Sequence, residues 1–274
     1  MRVSIQGFEG SFHQVAAQQY FGKNVAVITC ATFREVVKIA ANKKESDGGV
    51  MAIENSIAGS ILPNYTLLQK SNLTIVGEVY LPIKQHLLVN PGVKLEDIRE
   101  VHSHHMAIQQ CMDYLGKHNW KLVDTEDTAL SAKHIHQHRS KHIAAVAGKL
   151  AADLFNLEIV AANIHTQKNN YTRFLILKPF TDKIVDSANK ASINFQTNHT
   201  KGSLAKVLTI IAAHGINLSK LQSMPIAGTQ FKYSFHADLE FNQPKQFTDV
   251  LKEVKKATEE LRVFGVYKNG KNNS

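Results

Sequence analysis

The 274-residue sequence predicts an α/β protein in two parts, a two-lobed domain at residues 1–180 and a smaller unit at residues 190–270. Strand-like and helix-like segments alternate as far as about residue 180, which is typical of α/β folds with a mainly parallel sheet. The chain passes from one set of βα units to another and then returns, which indicates two lobes with a cleft between them. After residue 190 the order becomes βαββαβ, which predicts a compact ferredoxin-like sheet.

The first predicted strand, residues 3–7, runs into a turn that contains Gly7 and Gly10. Ser11 lies in the first turn of the helix that follows. Free backbone N–H groups and the positive end of the helix dipole enable such a turn to bind an anion. A glycine turn with a serine cap needs no ligand, however, and this segment alone favours that simpler interpretation. The third glycine of a dinucleotide-binding fingerprint is missing.

Three polar residues, Glu54, Asn55 and Ser56, stand at the end of a predicted buried strand. Ligands bind at the carboxyl ends of strands in parallel α/β sheets, so these side chains are candidates for a site. A capping role would explain Asn55 and Ser56 equally well. The other strands predicted in the two lobes are residues 25–28, 73–79, 84–89 (in the second lobe) and 101–104.

In the predicted second lobe, Ser103 ends a short strand and Gln110 lies seven residues further on, within a helix over residues 106–112. If Ser103 lies in the helix cap, both side chains can line one face of that helix. Residues 124–129 resemble a capped helix start, and that helix runs to about His138. Residues 142–147 are either a strand or a turn of small residues.

The stretch from Asn169 to Phe174 lies between the two parts of the chain and places a hydroxyl beside a guanidinium, at Thr172 and Arg173. Arginine offers a fixed fork of donors for a carboxylate, and threonine offers a donor for a reacting oxygen. The pair therefore suits a site for a small anionic substrate. Most such pairs at strand starts are solvated surface, so the flanking segments give this one its meaning.

The smaller unit shows four strand patterns and two helix patterns. The strands are residues 191–195, 217–225, 232–240 and 262–267, and the helices are residues 202–211 and 247–261.

The composition is that of a globular protein, with 43% hydrophobic and 20% charged residues. No apolar run approaches the roughly 18 residues of a membrane span, and the N-terminus shows no signal peptide, so we expect no membrane partner. Cys30 and Cys111 lie in separate apolar contexts, which indicates free thiols and a cytoplasmic location.

The net charge of +9 is scattered without a groove-reading motif, so we expect no nucleic-acid partner. His134 and His138 share a helix face, but no carboxylate or cysteine completes a metal site at an obvious spacing.

Five segments, taken in order, resemble the prephenate dehydratase family with a C-terminal ACT regulatory domain. They are residues 7–12, residues 54–56 with Gly59, residues 102–104 with Gln110 and Cys111, residues 127–129 and residues 170–174. The resemblance implies a catalytic domain similar to type 2 periplasmic binding proteins, with the active site in the cleft. It also implies decarboxylation and dehydration of prephenate to phenylpyruvate in L-phenylalanine biosynthesis, with no cofactor, no metal and no fused chorismate mutase ahead of residue 1.

The same resemblance assigns the site. Thr172 and Arg173 fall on the family's catalytic pair, and we expect Arg173 to hold the pyruvyl carboxylate while Thr172 donates to the departing hydroxyl group. Glu54 is the competing proton source. The expected substrate-binding positions are Asn55, Ser56, Ser11, Ser103, Gln110 and Phe174.

The ACT-like unit resembles modules that bind amino acids at a dimer interface, which implies a homodimer or homotetramer with L-phenylalanine as the effector. The matching positions are Gly202, Ser203, Leu204, Asn217, Leu218, Gln222 and Ser223. Where the family commonly has Glu-Ser-Arg-Pro, this chain has Gln222-Ser223-Met224-Pro225, and the loss of both charges bears on the strength or identity of the effector. A dimerisation module without a ligand is the alternative.

Three other functions fit parts of the sequence. Arogenate dehydratase performs the same chemistry on a substrate with an amino group in place of the keto oxygen. A non-catalytic amino-acid sensor could share the two lobes and the ACT-like unit, although it would not need Thr172 beside Arg173. A basic nucleic-acid-binding protein would be retained on heparin in a salt-dependent way.

Overall fold

The computed structural model describes residues 1–181, 186–198, 200–226, 228–230 and 232–273. These residues form three sheets, one in each lobe and one in the C-terminal unit. The α/β class, the two lobes and the ferredoxin-like unit predicted from the sequence are confirmed. Among the described residues, no helix is both long enough and apolar enough to cross a membrane.

Lobe 1 contains the two ends of the two-lobed domain. Its strands are β1 Arg2–Gln6, β2 Ala26–Cys30, β3 Gly49–Asn55, β4 Gly59–Ser60, β5 Leu73–Pro82 and β11 Tyr171–Pro179, and its helices are α1 Phe12–Phe21, α2 Phe33–Ala40 and α3 Leu62–Lys70. The strand order is β2-β1-β3-β11-β5, with β4 paired to β3. Strands β1, β2 and β3 are parallel, and β11 lies antiparallel between β3 and β5.

Lobe 2 is formed by the intervening chain. Its strands are β6 His86–Val89, β7 Glu100–Ser103, β8 Lys121–Asp124, β9 Ile143–Ala147 and β10 Glu158–Ala161, and its helices are α4 His105–Gln110, α5 Met112–Leu115, α6 Thr128–Gln137 and α7 Lys149–Leu154. A 3-10 turn lies at Leu95–Asp97. The strand order is β10-β6-β9-β7-β8.

The expectation of mainly parallel sheets is wrong, because each lobe is mixed. In lobe 2, strands β7, β8 and β9 are parallel, whereas β6 and β10 pair antiparallel. The antiparallel strands flank the two places where the chain crosses between lobes, residues 83–85 and residues 162–170. The chain leaves lobe 1 at the end of β5 and returns beside it at the start of β11, where Tyr171 pairs with Pro82, so the two strands run antiparallel. The predicted helix at residues 106–112 is also interrupted, at Cys111.

The C-terminal unit has the element order βαββαβ. Its elements are β12 Lys190–Gln196, α8 Ser203–Ala213, β13 Asn217–Pro225, β14 Tyr233–Glu240, α9 Pro244–Lys256 and β15 Glu260–Tyr267, followed by a 3-10 turn at Gly270–Asn273. The antiparallel strand order is β13-β14-β12-β15. This unit packs closely on lobe 1, since a Cβ at Gly265 of β15 would lie only 1.9 Å from the carbonyl oxygen of Ile75 in β5.

Side-chain caps begin several of the helices, including the two capped starts predicted from the sequence, at Ser11 and within residues 124–129. Ser11 accepts from the backbone of Gln14 at the start of α1, and Asp127 accepts from Leu130 at the start of α6. Thr32 forms a capping box at the start of α2. Each cap satisfies backbone N–H groups that the helix leaves free, and so fixes where the helix begins.

Candidate active site

A cavity of about 310 Å³ lies between the two lobes and has the volume of a small-ligand site. Lobe 1 contributes Gln6, Ser11, Phe12, His13, Phe33, Ala52, Asn55, Ala58, Ile61, Thr172 and Phe174, lobe 2 contributes His104, Met106, Ala107, Gln110, Glu126, Asp127 and Thr128, and the crossing segment contributes Ile83 and Gln85. The predicted cleft is therefore present, and both lobes contribute polar and apolar side chains to it.

Two ten-residue helices from opposite lobes begin at this cavity. Ser11 and Phe12 at the start of α1, and Asp127 and Thr128 at the start of α6, all line it. Among the described residues that line the cavity, there is no lysine or arginine. The positive ends of the two helices and neutral side-chain donors are therefore the groups that can attract an anion here.

The Thr172 hydroxyl is held in a defined orientation by Asn55. The amide nitrogen of Asn55 donates to Thr172 Oγ1 over 3.0 Å, while its oxygen accepts from the backbone of Ile57 and Ala58 over 3.0 and 2.9 Å. The two backbone donors fix which end of the amide faces Thr172. Since Thr172 Oγ1 accepts this bond, its own proton is available to a ligand in the cavity.

Asp127 brings a carboxyl group from lobe 2 against the glycine turn of lobe 1. Its Oδ1 accepts from the backbone of Leu130 over 2.9 Å. Gly7 has a φ of 88°, and a Cβ there would lie 2.9 Å from Asp127 Oδ2, so another residue would be strained and would displace this carboxyl group. Burial raises the pKa of Asp127, against the opposing effect of its backbone donors and His104.

Two histidines line the cavity in their neutral forms. His13 lies 4.9 Å from Phe174 between ring centroids, and burial lowers its pKa to about 3. His104 caps α4 by accepting from the backbone of Met106 at Nδ1 over 3.3 Å, which leaves its hydrogen on Nε2. Burial, with His105 beside it, lowers the pKa of His104. Both rings are therefore uncharged polar groups at neutral pH.

The structure brings together part of the predicted site. Ser11, Asn55, Gln110, Thr172 and Phe174 all line the cavity. They come from both lobes, so the cleft between the lobes joins segments that are far apart in the sequence.

Arg173 does not line the cavity, and the expectation that it holds a substrate carboxylate is contradicted by this arrangement. It neighbours Thr172 on β11, so its side chain leaves the opposite face of the sheet. There its guanidinium donates to Glu78 over 2.6 Å, to Asp238, and to the Tyr267 hydroxyl over 3.1 Å. Both carboxylates are buried, so the fork of donors is already occupied.

Glu54 is the register partner of Arg173 and also lies away from the cavity. Its carboxylate pairs with Lys220 Nζ of the C-terminal unit over 2.5 Å. Glu54 is therefore an ion-pair partner here, and this geometry contradicts its role as the competing proton source.

Two predicted serines have structural partners instead. The hydroxyl of Ser56 accepts from the Tyr171 backbone over 2.9 Å and donates to the Asn169 carbonyl over 3.2 Å, which ties the end of β3 to β11. The hydroxyl of Ser103 is fully buried and donates to the carbonyl of Val146 over 2.6 Å. Ser103 ends strand β7 rather than capping a helix, so it does not share a helix face with Gln110.

The sequence-based prediction missed seven polar residues of the cavity, which are Gln6, His13, Gln85, His104, Glu126, Asp127 and Thr128. His104 and Asp127 follow the carboxyl ends of the parallel strands β7 and β8. The rule that singled out Glu54 to Ser56 would therefore have found them. Gln85 has no comparable signal, because it lies where the chain crosses between lobes.

The expected effector residues fall at two ends of the C-terminal sheet. Asn217 of β13 and Lys190, the first residue of β12, both pair with Glu240 of β14. Asn217 and Leu218 are therefore level with the start of β12. Gly202, Ser203 and Leu204 follow the other end of that seven-residue strand, roughly 20 Å away. A single chain does not bring these two groups into one site.

Local hydrogen bonds already engage several of these side chains. Ser203 Oγ donates to Thr197 Oγ1 over 3.1 Å, and Asn217 donates to Glu240 over 3.3 Å. The Gln222 amide donates to the carbonyl of its neighbour Ser223 over 2.9 Å. Within the described residues, no group of three or more His, Cys, Asp or Glu side chains could hold a metal ion.

Comparison with known proteins places this geometry in a family. The family model for prephenate dehydratase matches residues 3–181. A bifunctional chorismate mutase/prephenate dehydratase of Enterobacter agglomerans is 32% identical over 97% of this chain and 70% of its own length. Arogenate dehydratase/prephenate dehydratase 2 of Arabidopsis thaliana is 36% identical over 97% of this chain and 72% of its own. The chain belongs to the prephenate dehydratase family, as the sequence predicts.

Solved structures match the whole chain. A protein described as GqqA, a novel type of quorum quenching acylase, superposes with a TM-score of 0.90 at 28% identity and full coverage of both chains. Prephenate dehydratase of Arthrobacter aurescens in complex with L-Phe superposes with a TM-score of 0.87 at 24% identity, covering 100% of this chain and 92% of that one. The Arthrobacter aurescens structure therefore shares the fold of the whole chain, including all three sheets.

Proposed function

We propose that this protein is a prephenate dehydratase whose active site is the cleft between the lobes. The observation that carries the proposal is the orientation of the Thr172 hydroxyl, which accepts a hydrogen bond from Asn55 and faces a small cavity. Among the described residues that line this cavity, no side chain is cationic. Prephenate dianion and one proton give phenylpyruvate, carbon dioxide and water. The site must therefore bind two carboxylates, release one as carbon dioxide, and supply a proton to the departing hydroxyl group.

The starts of α1 and α6 support the binding of the two carboxylates. Each helix offers free N–H groups and the positive end of its dipole, one from each lobe. These groups attract an anion less strongly than a buried arginine fork does. A weaker hold suits the ring carboxylate, because stabilising a group that must leave as neutral carbon dioxide would favour the ground state over the transition state.

Thr172 and Asp127 support the dehydration step. Thr172 donates its hydrogen bond to the departing oxygen, where negative charge develops as the C–O bond breaks. Asp127 supplies the proton, because its pKa is raised by burial and it lines the same cavity, whereas Glu54 is paired with Lys220 behind the sheet. The resulting Asp127 carboxylate regains a proton from solvent after carbon dioxide and water have left.

We propose L-phenylalanine as the effector, bound where two C-terminal units meet in a homodimer or homotetramer. The Arthrobacter aurescens structure, which shares the fold, is described as a complex with L-Phe. The separation of Gly202–Leu204 from Asn217 and Leu218 supports a second copy, since one chain cannot supply both groups to one ligand. With Gln222 and Met224 in place of charged residues, backbone groups near Asn217 would hold the ends of the amino acid.

The cytoplasmic location stays a prediction that is supported by the two free, buried cysteines.

Arogenate is the second candidate substrate. The Arabidopsis relative, 36% identical, is described as acting on both arogenate and prephenate. Arogenate carries an ammonium group where prephenate carries a keto oxygen, and Glu126 at the rim of the cavity offers a carboxylate to it.

The test is phenylpyruvate formation from prephenate by the purified protein, with and without phenylalanine. We expect turnover that phenylalanine suppresses. Arogenate, assayed in parallel, identifies an arogenate dehydratase if it is the faster substrate. Binding of phenylalanine without turnover of either compound would indicate the sensor, and hydrolysis of an acyl amide without dehydration would indicate an acylase like GqqA.

A further inference from the structure

The face of the lobe 1 sheet opposite the cavity is covered by the C-terminal unit through buried charges. Asn55 and Thr172 face the cavity, whereas their chain neighbours Glu54 and Arg173 face the C-terminal unit. The side chains of a strand alternate between faces, so the ends of β3 and β11 carry catalytic groups on one side and ionic contacts on the other.

The first contact is a cluster of four charges around Arg173. Its partners are Glu78 of β5 and Asp238 of β14, and Lys190 of β12 approaches Glu78 over 3.0 Å. All four side chains are at most 4% exposed. Ser192 donates to Asp238 over 2.5 Å, so the carboxylate is held from its own unit as well. Two positive and two negative charges balance, and each buried charge has a partner of opposite sign.

The second contact is smaller and joins the neighbouring strand. Lys220 of β13 donates to Glu54 Oε1 over 2.5 Å and to Ser60 Oγ over 2.7 Å. Glu54 of β3 pairs in register with Arg173 of β11 on one side and with Ser60 of β4 on the other. The C-terminal unit therefore holds β3, β4 and β11 at the level of Thr172.

We propose that Arg173 and Glu54 are positioning residues, through which Asp238 and Lys220 of the C-terminal unit hold Thr172 and Asn55 in their catalytic orientation. This inference presumes the proposed dehydratase function and extends it to a role for the C-terminal unit in the chemical step. A donor misplaced by about 1 Å can cost on the order of 100-fold in rate. A small movement of β13 or β14 that shifts Thr172 would therefore lower kcat. Substrate binding by the helix N-termini should change little, because α1 and α6 begin at the cavity, on the other side of the sheet from these ionic groups.

The Lys220 contact is the better place for a test, since Lys220 and Glu54 are partly exposed and a single change leaves the four-charge cluster intact. Lys220→Gln is expected to lower kcat at least 10-fold and to leave KM within about twofold. The exchanged pair Glu54→Lys with Lys220→Glu is expected to restore most of the lost kcat. Lys252→Gln, which removes a surface ion pair on α9, is the matched control and should retain the wild-type kcat.

Arg173→Lys gives an independent reading of the same idea. Lysine keeps the positive charge but cannot reach Glu78 and Asp238 together as a fork, so kcat should fall while KM stays constant. A rise in KM at constant kcat would return Arg173 to substrate binding and overturn the proposal. Circular dichroism and thermal unfolding establish that each variant is folded.

The proposal is also overturned if folded Lys220→Gln keeps the wild-type kcat, or if the folded exchanged pair stays as slow as Lys220→Gln. Its failure is distinct from failure of the dehydratase function. An inactive wild-type protein would refute the function, whereas an active wild-type protein with an unaffected Lys220→Gln variant would refute the positioning role alone.

Discussion

The Thr172 hydroxyl is the group whose environment most directly defines the chemistry. Its oxygen accepts from Asn55, so its proton is directed to the ligand. Thr172→Ala should lower kcat by roughly 100- to 1,000-fold with little change in KM, because the donor acts where charge develops on the departing oxygen. Thr172→Ser, which keeps the hydroxyl, should recover a large part of that loss. Steady-state kinetics with prephenate check both, and a Thr172→Ala variant with unchanged kcat would remove Thr172 from the mechanism.

Asp127 is the residue that should give the reaction its pH dependence. Its pKa is raised by burial, and the protonated form is the proton donor. We therefore expect kcat to be high at low pH and to fall as the pH rises through that raised pKa. Asp127→Asn can still cap α6 but cannot donate a proton, so it should be slow at every pH and lack this fall. An Asp127→Asn variant that keeps both the rate and the pH profile of the wild type would contradict the role.

At the residue scale, the sequence located the functional segments better than it located their side chains. Thr172 and Arg173 are adjacent, and only the pairing of β11 with its neighbours decides which of them faces the cleft. A shift of one residue exchanges the two faces, and no local signal in this segment sets that register. The partners of Arg173 also come from strands 65 and 95 residues away, so its ionic role was not visible in the sequence.

At the scale of secondary-structure elements, the helix starts were predictable and the sheet pairing was not. Ser11 and Asp127 lie in short segments that show a capped helix start in the sequence, because a cap depends only on residues within one helical turn. The antiparallel entry of β11 depends on the path between lobes, which strand patterns alone do not encode. The break at Cys111 likewise lies within a continuous helical pattern.

The turn before α1 allows an element-level prediction about closure of the cleft. Gly10 and Gly22 both have positive φ angles, of 88° and 93°. A Cβ at Gly10 would lie 3.0 Å from the Cα of Ala151 in lobe 2, whereas a Cβ at Gly22 would meet nothing within 4 Å. Each change to alanine should cost roughly 1–3 kcal/mol in backbone strain. Only Gly10→Ala should also push the lobes apart and raise KM, by about 10-fold if closure contributes about 1.4 kcal/mol to binding.

Gly22→Ala is thus the control for backbone strain without the contact between lobes. Thermal unfolding and steady-state kinetics on both variants separate the two effects. Equal KM values in the two variants would show that this contact does not govern substrate binding.

At the scale of the whole molecule, the buried charge cluster makes the C-terminal unit part of the stability of the catalytic lobes. Burial alone would raise the pKa of Asp238, but the Arg173 guanidinium, with His236 and Lys190 nearby, holds that pKa well below the usual range. The folded protein therefore binds this proton less readily than the unfolded chain does. The stability that Asp238 contributes is present above the unfolded pKa, about 4, and is lost as the pH falls below it.

Asp238→Asn should consequently lower the stability of the protein at pH 7, by about 3 kcal/mol, because Arg173 loses one of its two buried carboxylates. The difference in Tm between wild type and variant should shrink as the pH is lowered below about 4, where the unfolded wild-type chain takes up the proton. Asp153→Asn removes a carboxylate from an exposed pair with Lys149 and should follow the wild-type curve. Thermal unfolding of the three proteins between pH 3 and 8 provides the comparison. A Tm difference for Asp238→Asn that stays constant across this range would mean that Asp238 does not stabilise the fold through its charge, and that packing rather than the ion pair joins the C-terminal unit to the catalytic strands.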